Sequence, residues 1–459
     1  MTFRTRLPRR YIHRLRMRAV LLLAFLSMVA VEVHAAASIR SSRWGPTLLP
    51  DTHADLAGSP GESPVVDTLQ LAEAIAIART TNPRLAANRF LAEAAAERVP
   101  QAGALPDPQV TLGLMNRPLY GFGSDEPMTM NQLQVSQMFP WPGKLGYAQE
   151  RAQYLATAAT LSAEEAEVAL IGMVKREYFE LASMDRAITI MEGTRELLRD
   201  FFQVSQAMYA VGDGLQQDVL RAQVAVAQMT EEITAMSQRR IAMAARLNAL
   251  LGRDAAVPIQ GVVLPEIGSE LASLDSLLGI ATRQRPALLA AQERERAAVA
   301  GLAAARRELY PDLMVAVAYG QRERFGDMGT VMVGFNLPLR AGSRQRPMAR
   351  EMEAMRAMEG AMARDLYNDT FAELAEARAD AERARALGTL YAASILPQAR
   401  AAVESALSAY RVGQVDYMTL VENEMTVNRY EIESVRLAAQ YHQAVARIDA
   451  LLGPAGGAR

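Results

Sequence analysis

Polar and apolar residues interleave from Lys144 to Met208 without a proline, a run that would extend roughly 95 Å as a helix. A reversal at Tyr209-Ala210-Val211-Gly212-Asp213-Gly214 follows, and a second limb from Leu215 to Leu251 would return roughly 55 Å. Glu164, Glu165, Glu167, Lys175, Arg176 and Glu177 are among the charges that interrupt every apolar run of the first limb, so neither limb reads as a membrane-spanning helix. The pattern predicts a long, water-exposed helical hairpin.

The same arrangement returns in the second half. Gly342 to Ala409 has only Pro347 and Pro397 as breakers, the turn reads Tyr410-Arg411-Val412-Gly413-Gln414-Val415, and the return limb closes at Leu451-Leu452-Gly453. Tyr209–Gly252 and Tyr410–Gly453 are each 44 residues long, open with Tyr-x-Val-Gly and close with Ala-Leu-Leu-Gly. Ahead of each hairpin the period changes from helical to alternating. Val110, Leu112 and Leu114 alternate with Thr111, Gly113 and Met115, and Leu133, Val135 and Gln137 with Gln132, Gln134 and Ser136. Leu313 to Tyr319 and Val331 to Leu337 repeat this in the second half. Leu71, Asn82-Pro83 and Pro108 match Leu274, Arg285-Pro286 and Pro311 at an offset of 203, which has become 201 by the turns. Landmarks that keep their order at a nearly constant offset mark a duplication.

The divisions that follow are a first repeat over 68–252, a linker over 253–273, a second repeat over 274–453 and a short tail over 454–459. Gly360, Gly388 and Pro397 mark places where the second rod bends or splits. At the N-terminus seven Arg precede the apolar run Ala19–Val31 and the small-residue site Val33-His34-Ala35, the layout of a signal peptide over 1–35. Residues 36–67, rich in Pro and Gly, read as a flexible segment. Cleavage after Ala35 removes seven Arg and one Glu and moves the formal charge from -2 to -8, which argues against nucleic acid as a partner.

The expected strands have the length of tilted transmembrane β-strands, with one apolar face and one polar face made of Gln132, Gln134, Ser136, Asn336 and glycines. Four strands cannot close a barrel, and an open edge cannot sit in lipid. Three copies would supply twelve strands. The fold class read from this is mainly α with a small transmembrane β part: duplicated long α-helical hairpins that could continue a lumen as a tunnel, and four β-strands that several copies must share to close a barrel, a twelve-stranded trimeric one if the copies are three. The competing reading is a soluble periplasmic coiled-coil adaptor or scaffold, its small sheet capping the hairpins.

Candidate chemistry adds little. The chain has no Cys and four His, so no metal site or cofactor is expected. Nucleotide-binding, phosphate-loop and zinc-protease motifs are absent, and Glu164/Glu165 and Glu231/Glu232 read as solvated rod charges. Met115, Met128, Met130 and Met138 gather near the first strand pair, but among 24 Met they read as core and gap-filling residues.

Leu71-Ala72-Glu73-Ala74 with Asn82-Pro83, the strand entry Pro106-Asp107-Pro108 and the two Tyr-x-Val-Gly turns resemble the TolC-like outer-membrane efflux channels, over about Leu69 to Gly453. The resemblance implies a homotrimer set in the lipid of the Gram-negative outer membrane, with a long periplasmic extension. It also implies a periplasmic adaptor that links this passive channel to a proton-driven inner-membrane pump. Tyr209, Val211, Gly212 and Asp213, with Tyr410, Val412, Gly413 and Gln414, then fall at adaptor-docking tips. Asp218, Thr419 and Glu422 fall at the family's periplasmic gate, Thr419 departing from the usual Asp. Pro140, Trp141, Pro142 and Gly143 form the strand-to-tunnel junction, and Phe139–Lys144 with Leu105–Pro108 is similar to the subgroup serving heavy-metal efflux of the cobalt-zinc-cadmium or copper type.

Overall fold

The computed structural model describes residues 68–117, 126–412 and 414–454. The expected signal peptide, the segment 36–67, Gly413 and the tail beyond Pro454 lie outside the described residues. The first repeat runs α1 (Leu71–Thr81), α2 (Pro83–Gly103), β1 (Gln109–Met115), β2 (Met130–Phe139), α3 (Lys144–Val211) and α4 (Gln216–Leu250). The second runs α5 (Leu274–Gln284), α6 (Pro286–Arg307), β3 (Asp312–Gln321), β4 (Met328–Asn336), α7 (Gln345–Leu390), α8 (Leu396–Arg411) and α9 (Tyr417–Leu452). Helix α3 is unbroken over 68 residues, as its lack of proline allows. Its counterpart divides at a π-turn, Tyr391–Ile395, where the Leu396 amide reaches the Tyr391 carbonyl. Pro397 has no amide to donate and its ring would crowd the Ala393 carbonyl, and the wider turn relieves both.

The four strands form one antiparallel sheet in the order β1-β2-β3-β4. Val110, Val135, Val317 and Val331 share a row across it, and Leu112, Leu133 and Tyr319 the next. Thr111, Gln134, Ala318 and Thr330 lie in register on the opposite face. On the apolar face Val110, Leu112, Val331, Val333 and Phe335 are each more than half exposed. A soluble sheet capping helical hairpins would bury that face, whereas a lipid-facing one leaves it bare. Among the described residues β1 and β4 have no second strand partner.

Two equivalent cores sit where the short helices meet the rods. Ala74 and Ala78 pack on Val174, Tyr178, Leu247 and Leu251; Leu277 and Ala281 pack on Leu374, Ala377, Ile448 and Leu452. Alanine at these positions lets helix axes approach closely. Each return limb closes on a glycine in the left-handed region, Gly252 at φ 67° and Gly453 at φ 94°. Each glycine is pressed on the backbone end of a short helix: Thr81 carbonyl for Gly252, Gln284 carbonyl for Gly453. A third cluster joins the hairpins near their tips, with Leu198 and Phe201 of α3, Met229 of α4, Tyr410 of α8 and Leu420 of α9.

Residues 253–273 carry no helix or strand and are held by side chains. Tyr178 Oη donates to Leu69 O at 2.9 Å and accepts from Val263 N at 3.1 Å, and Tyr441 Oη donates to Ser269 O at 3.1 Å. One rod charge is not simply solvated. Glu165 accepts from the Ala287 amide at 3.1 Å and pairs with Arg285 at 3.3 Å, capping α6 from across the repeat boundary where the first repeat uses Asn82 on its own helix. The sequence does not reveal this, because the partners are more than a hundred residues apart.

Candidate functional site

Where sheet meets rod, Pro140 and Pro142 stiffen the chain and Gly143, at φ 93°, turns it into α3. The turn delivers Lys144 into a buried position, 8% exposed, with Nζ 2.8 Å from Asp312 Oδ1 and 3.2 Å from Glu308 Oε2. Asp312 Oδ1 also accepts from the Trp141 amide at 2.9 Å. The Trp141 ring stacks on Tyr310 with centroids 5.4 Å apart, and the Arg307 guanidinium lies 5.7 Å from the Tyr310 ring centre. The junction thus joins the two repeats and sets amphipathic aromatics beside a cation at the base of an apolar sheet, the chemistry of a membrane interface. Glu308, Tyr310 and Asp312 carry no local signal that would pair them with Lys144.

At the far end α3 stops in a left-handed turn. Gly212 has φ 87°, and the amides of Asp213 and Gly214 reach back to Met208 O at 3.0 and 3.1 Å. Without a Cβ this reversal is free of strain. Val211 and Val412 are the most exposed apolar residues of the two turns, at 73% and 68%. Tyr209, Asp213 and Gln414 are also exposed. Tyr410 differs: it is buried edge-on against Tyr417, centroids 5.9 Å apart, and so holds the tip together rather than facing outward. The tyrosines of the two Tyr-x-Val-Gly turns therefore do different work.

Asp218, in the first turn of α4, is half-buried and faces Tyr410 and Tyr417. Burial, then the neighbouring Tyr410 and Asp218, pushes the Tyr417 hydroxyl well above the ordinary tyrosine range. Thr419 and Glu422 are exposed one turn apart on α9. Thr419 gives its hydroxyl and amide to Asp416 Oδ1 at 2.6 and 2.9 Å. These bonds, with Arg221 of α4 nearby, hold the Asp416 carboxyl below its usual range. Sequence reasoning passed over Asp416, although Asp-x-x-Thr ahead of an apolar run is a legible helix-start spacing.

One turn above, Glu424 is 5% exposed, and burial followed by repulsion from Glu431 raises its pKa. The folded rod therefore holds this proton more tightly than the unfolded chain does. Its contribution to stability is present at low pH and is lost as pH rises through the raised value. We expect Glu424→Gln to remove that dependence. Amide protection factors across 396–428, corrected for intrinsic exchange, should fall as pH is raised above the ordinary glutamate range in the native protein and stay level in the variant. A parallel fall in both would refute this account of Glu424.

A family model described as outer membrane efflux protein matches residues 74–253 and 277–454, one match on each repeat. Among curated protein sequences no relative matches. Among solved structures, the outer-membrane channel OprN is similar at 18% identity and TM-score 0.73, covering 84% of this chain and 90% of that one. The outer membrane protein VceC of Vibrio cholerae is similar at 19% identity and TM-score 0.71, covering 85% of this chain and 97% of that one. CusC is similar at 15% identity and TM-score 0.72, with 84% and 93% covered. Those likenesses establish the fold, and the family match extends over most of both repeats. The chain belongs to the outer membrane efflux protein family: it is a channel, not an enzyme, of the Gram-negative outer membrane, with a long periplasmic helical part.

Proposed function

We propose that three copies form the exit duct of a tripartite efflux system, a passive conduit whose energy comes from its partners. The observation that carries this reading is the exposed apolar sheet face with an open edge on either side. An open edge is not tolerated in lipid, and joining β1 of one copy to β4 of the next closes twelve strands without a remaining edge. The two turns then point into the periplasm as docking tips for an adaptor that leads to a proton-driven inner-membrane pump. Asp218 and Glu422 ring the tunnel near those tips. Three like charges in a ring favour cations. Heavy-metal cations are the proposed cargo, on the likeness of Phe139–Lys144 to that subgroup.

Val211→Asp combined with Val412→Asp tests the docking. Both residues are exposed, so the trimer should still be recovered from outer membranes with detergent, while adaptor cross-linking and efflux fall at least tenfold, the loss of about 1.4 kcal/mol or more of contact energy. Unchanged efflux would remove the tips from the interface. Recovery of the native protein as a salt-extractable monomer would sink the duct itself. In the reconstituted trimer, Asp218→Asn with Glu422→Gln should weaken cation selectivity; no change would leave them as surface charges.

A further inference from the structure

All six methionines of the strands, Met115, Met130, Met138, Met314, Met328 and Met332, lie on the polar face of the sheet and none on the apolar face. They form two groups. At the end away from the rods Met115 stands directly opposite Met130, whose sulfur lies over the bare Cα of Gly320, and Gly320 is paired with Met328. At the rod end Met138 stands opposite Met314, with Met332 on the diagonal. Directly opposed residues have Cβ atoms about 4.5–5.5 Å apart, within reach of one ion held between two thioethers.

Met130 is half-buried and fills the notch over Gly320, but a gap-filling role does not account for the other five. Met115, Met138, Met314, Met328 and Met332 are 36% to 42% exposed. On the face that a barrel turns to water, exposed thioethers are costlier than the Gln, Ser and Thr beside them. Their lasting property there is softness as ligands. Two further methionines lie among the helices: a cleft of about 360 Å³ is lined in common by α2, α3, α6 and α7, with Met352 and Met355 beside Arg151, Arg294 and Glu359. The two thioethers there thus stand among charges of both signs.

We propose that these methionines form soft-donor sites for monovalent Ag+ or Cu+ along the inner wall, two sites per chain in the barrel. The inference rests on the trimeric duct proposed above and narrows its cargo from metal cations in general to soft ones. The chain has no Cys, so thiolates do not compete in the test. Reconstituted trimers in potassium nitrate are dialysed against silver nitrate, and single-channel conductance is recorded from the same preparation. Native trimers should retain Ag+. Met115→Leu/Met130→Leu/Met138→Leu/Met314→Leu, which keeps side-chain volume, should lose more than half of it. Met184→Leu/Met191→Leu in the buried rod core should lose none. Conducting trimers that retain no Ag+, or that retain it equally after the four strand substitutions, overturn the inference. A folded trimer that does not conduct overturns the duct reading, and this inference with it.

Discussion

Gly252→Ala is expected to destabilise the folded chain by about 2–5 kcal/mol. Two costs add at this position. At φ 67° an L-residue is strained by roughly 1–2 kcal/mol. A Cβ there would also stand 2.5 Å from the Thr81 carbonyl oxygen, which is backbone and cannot swing aside. Relief requires α1 to move off the rod, opening the core around Ala78 and Leu251. Gly453→Ala should behave alike, since its Cβ would meet the Gln284 carbonyl at the same distance of 2.5 Å. Gly193→Ala supplies the control, because it lies inside α3 with no neighbour near its missing Cβ and should gain about 0.5–1 kcal/mol. Thermal unfolding of the purified protein, compared at one scan rate, ranks the three. A drop at Gly193 as large as that at Gly252 would mean that the loss is not a matter of close approach.

Lys144→Met should cost about 2–4 kcal/mol at neutral pH. Methionine keeps the length of the side chain but removes the charge, leaving Asp312, 18% exposed, with the Trp141 amide at 2.9 Å as its hydrogen-bond donor. Glu308 loses less, being 42% exposed and screened by water. The second substitution Asp312→Asn decides the matter. If the penalty comes from an unpaired buried carboxylate, Lys144→Met/Asp312→Asn recovers much of it, and the double-mutant cycle shows strong coupling in thermal unfolding. Additive losses would show that Lys144 acts through packing alone.

Much of the architecture was legible because it depends on local period. A switch from helical to alternating spacing at Pro106–Pro108 and Pro311 gave the strands, and paired closings at Gly252 and Gly453 gave the duplication. The face assignment of the strands followed from alternation alone. The candidate site was only partly legible. Tyr209 and Tyr410 read alike, yet the second is buried by Tyr417, a residue of the other limb of its hairpin. Lys144 and Glu165 find partners 164 and 122 residues away, Glu308 and Ala287, and no periodicity encodes such pairings. The arrangement of the methionines was illegible for the same reason. Spacing along one strand shows a cluster, but only the register of four strands shows that all six share a face.

The π-turn at Tyr391–Ile395 has a consequence for what the second rod can present. One residue inserted into an α-helix rotates everything beyond it by about 100°. Positions that would have stayed in phase along α7 and α8 therefore face different directions above and below the turn. Above it the helix sides with α5 and α9 through Leu374, Ala377 and Ala381; below it Ala406 and Tyr410 join the cluster that binds the two hairpins. The first rod, α3, keeps one phase throughout. Of the two, then, the first presents one phase of side chains from sheet to tip, while the second changes by about a quarter-turn the side it offers to its neighbours partway along.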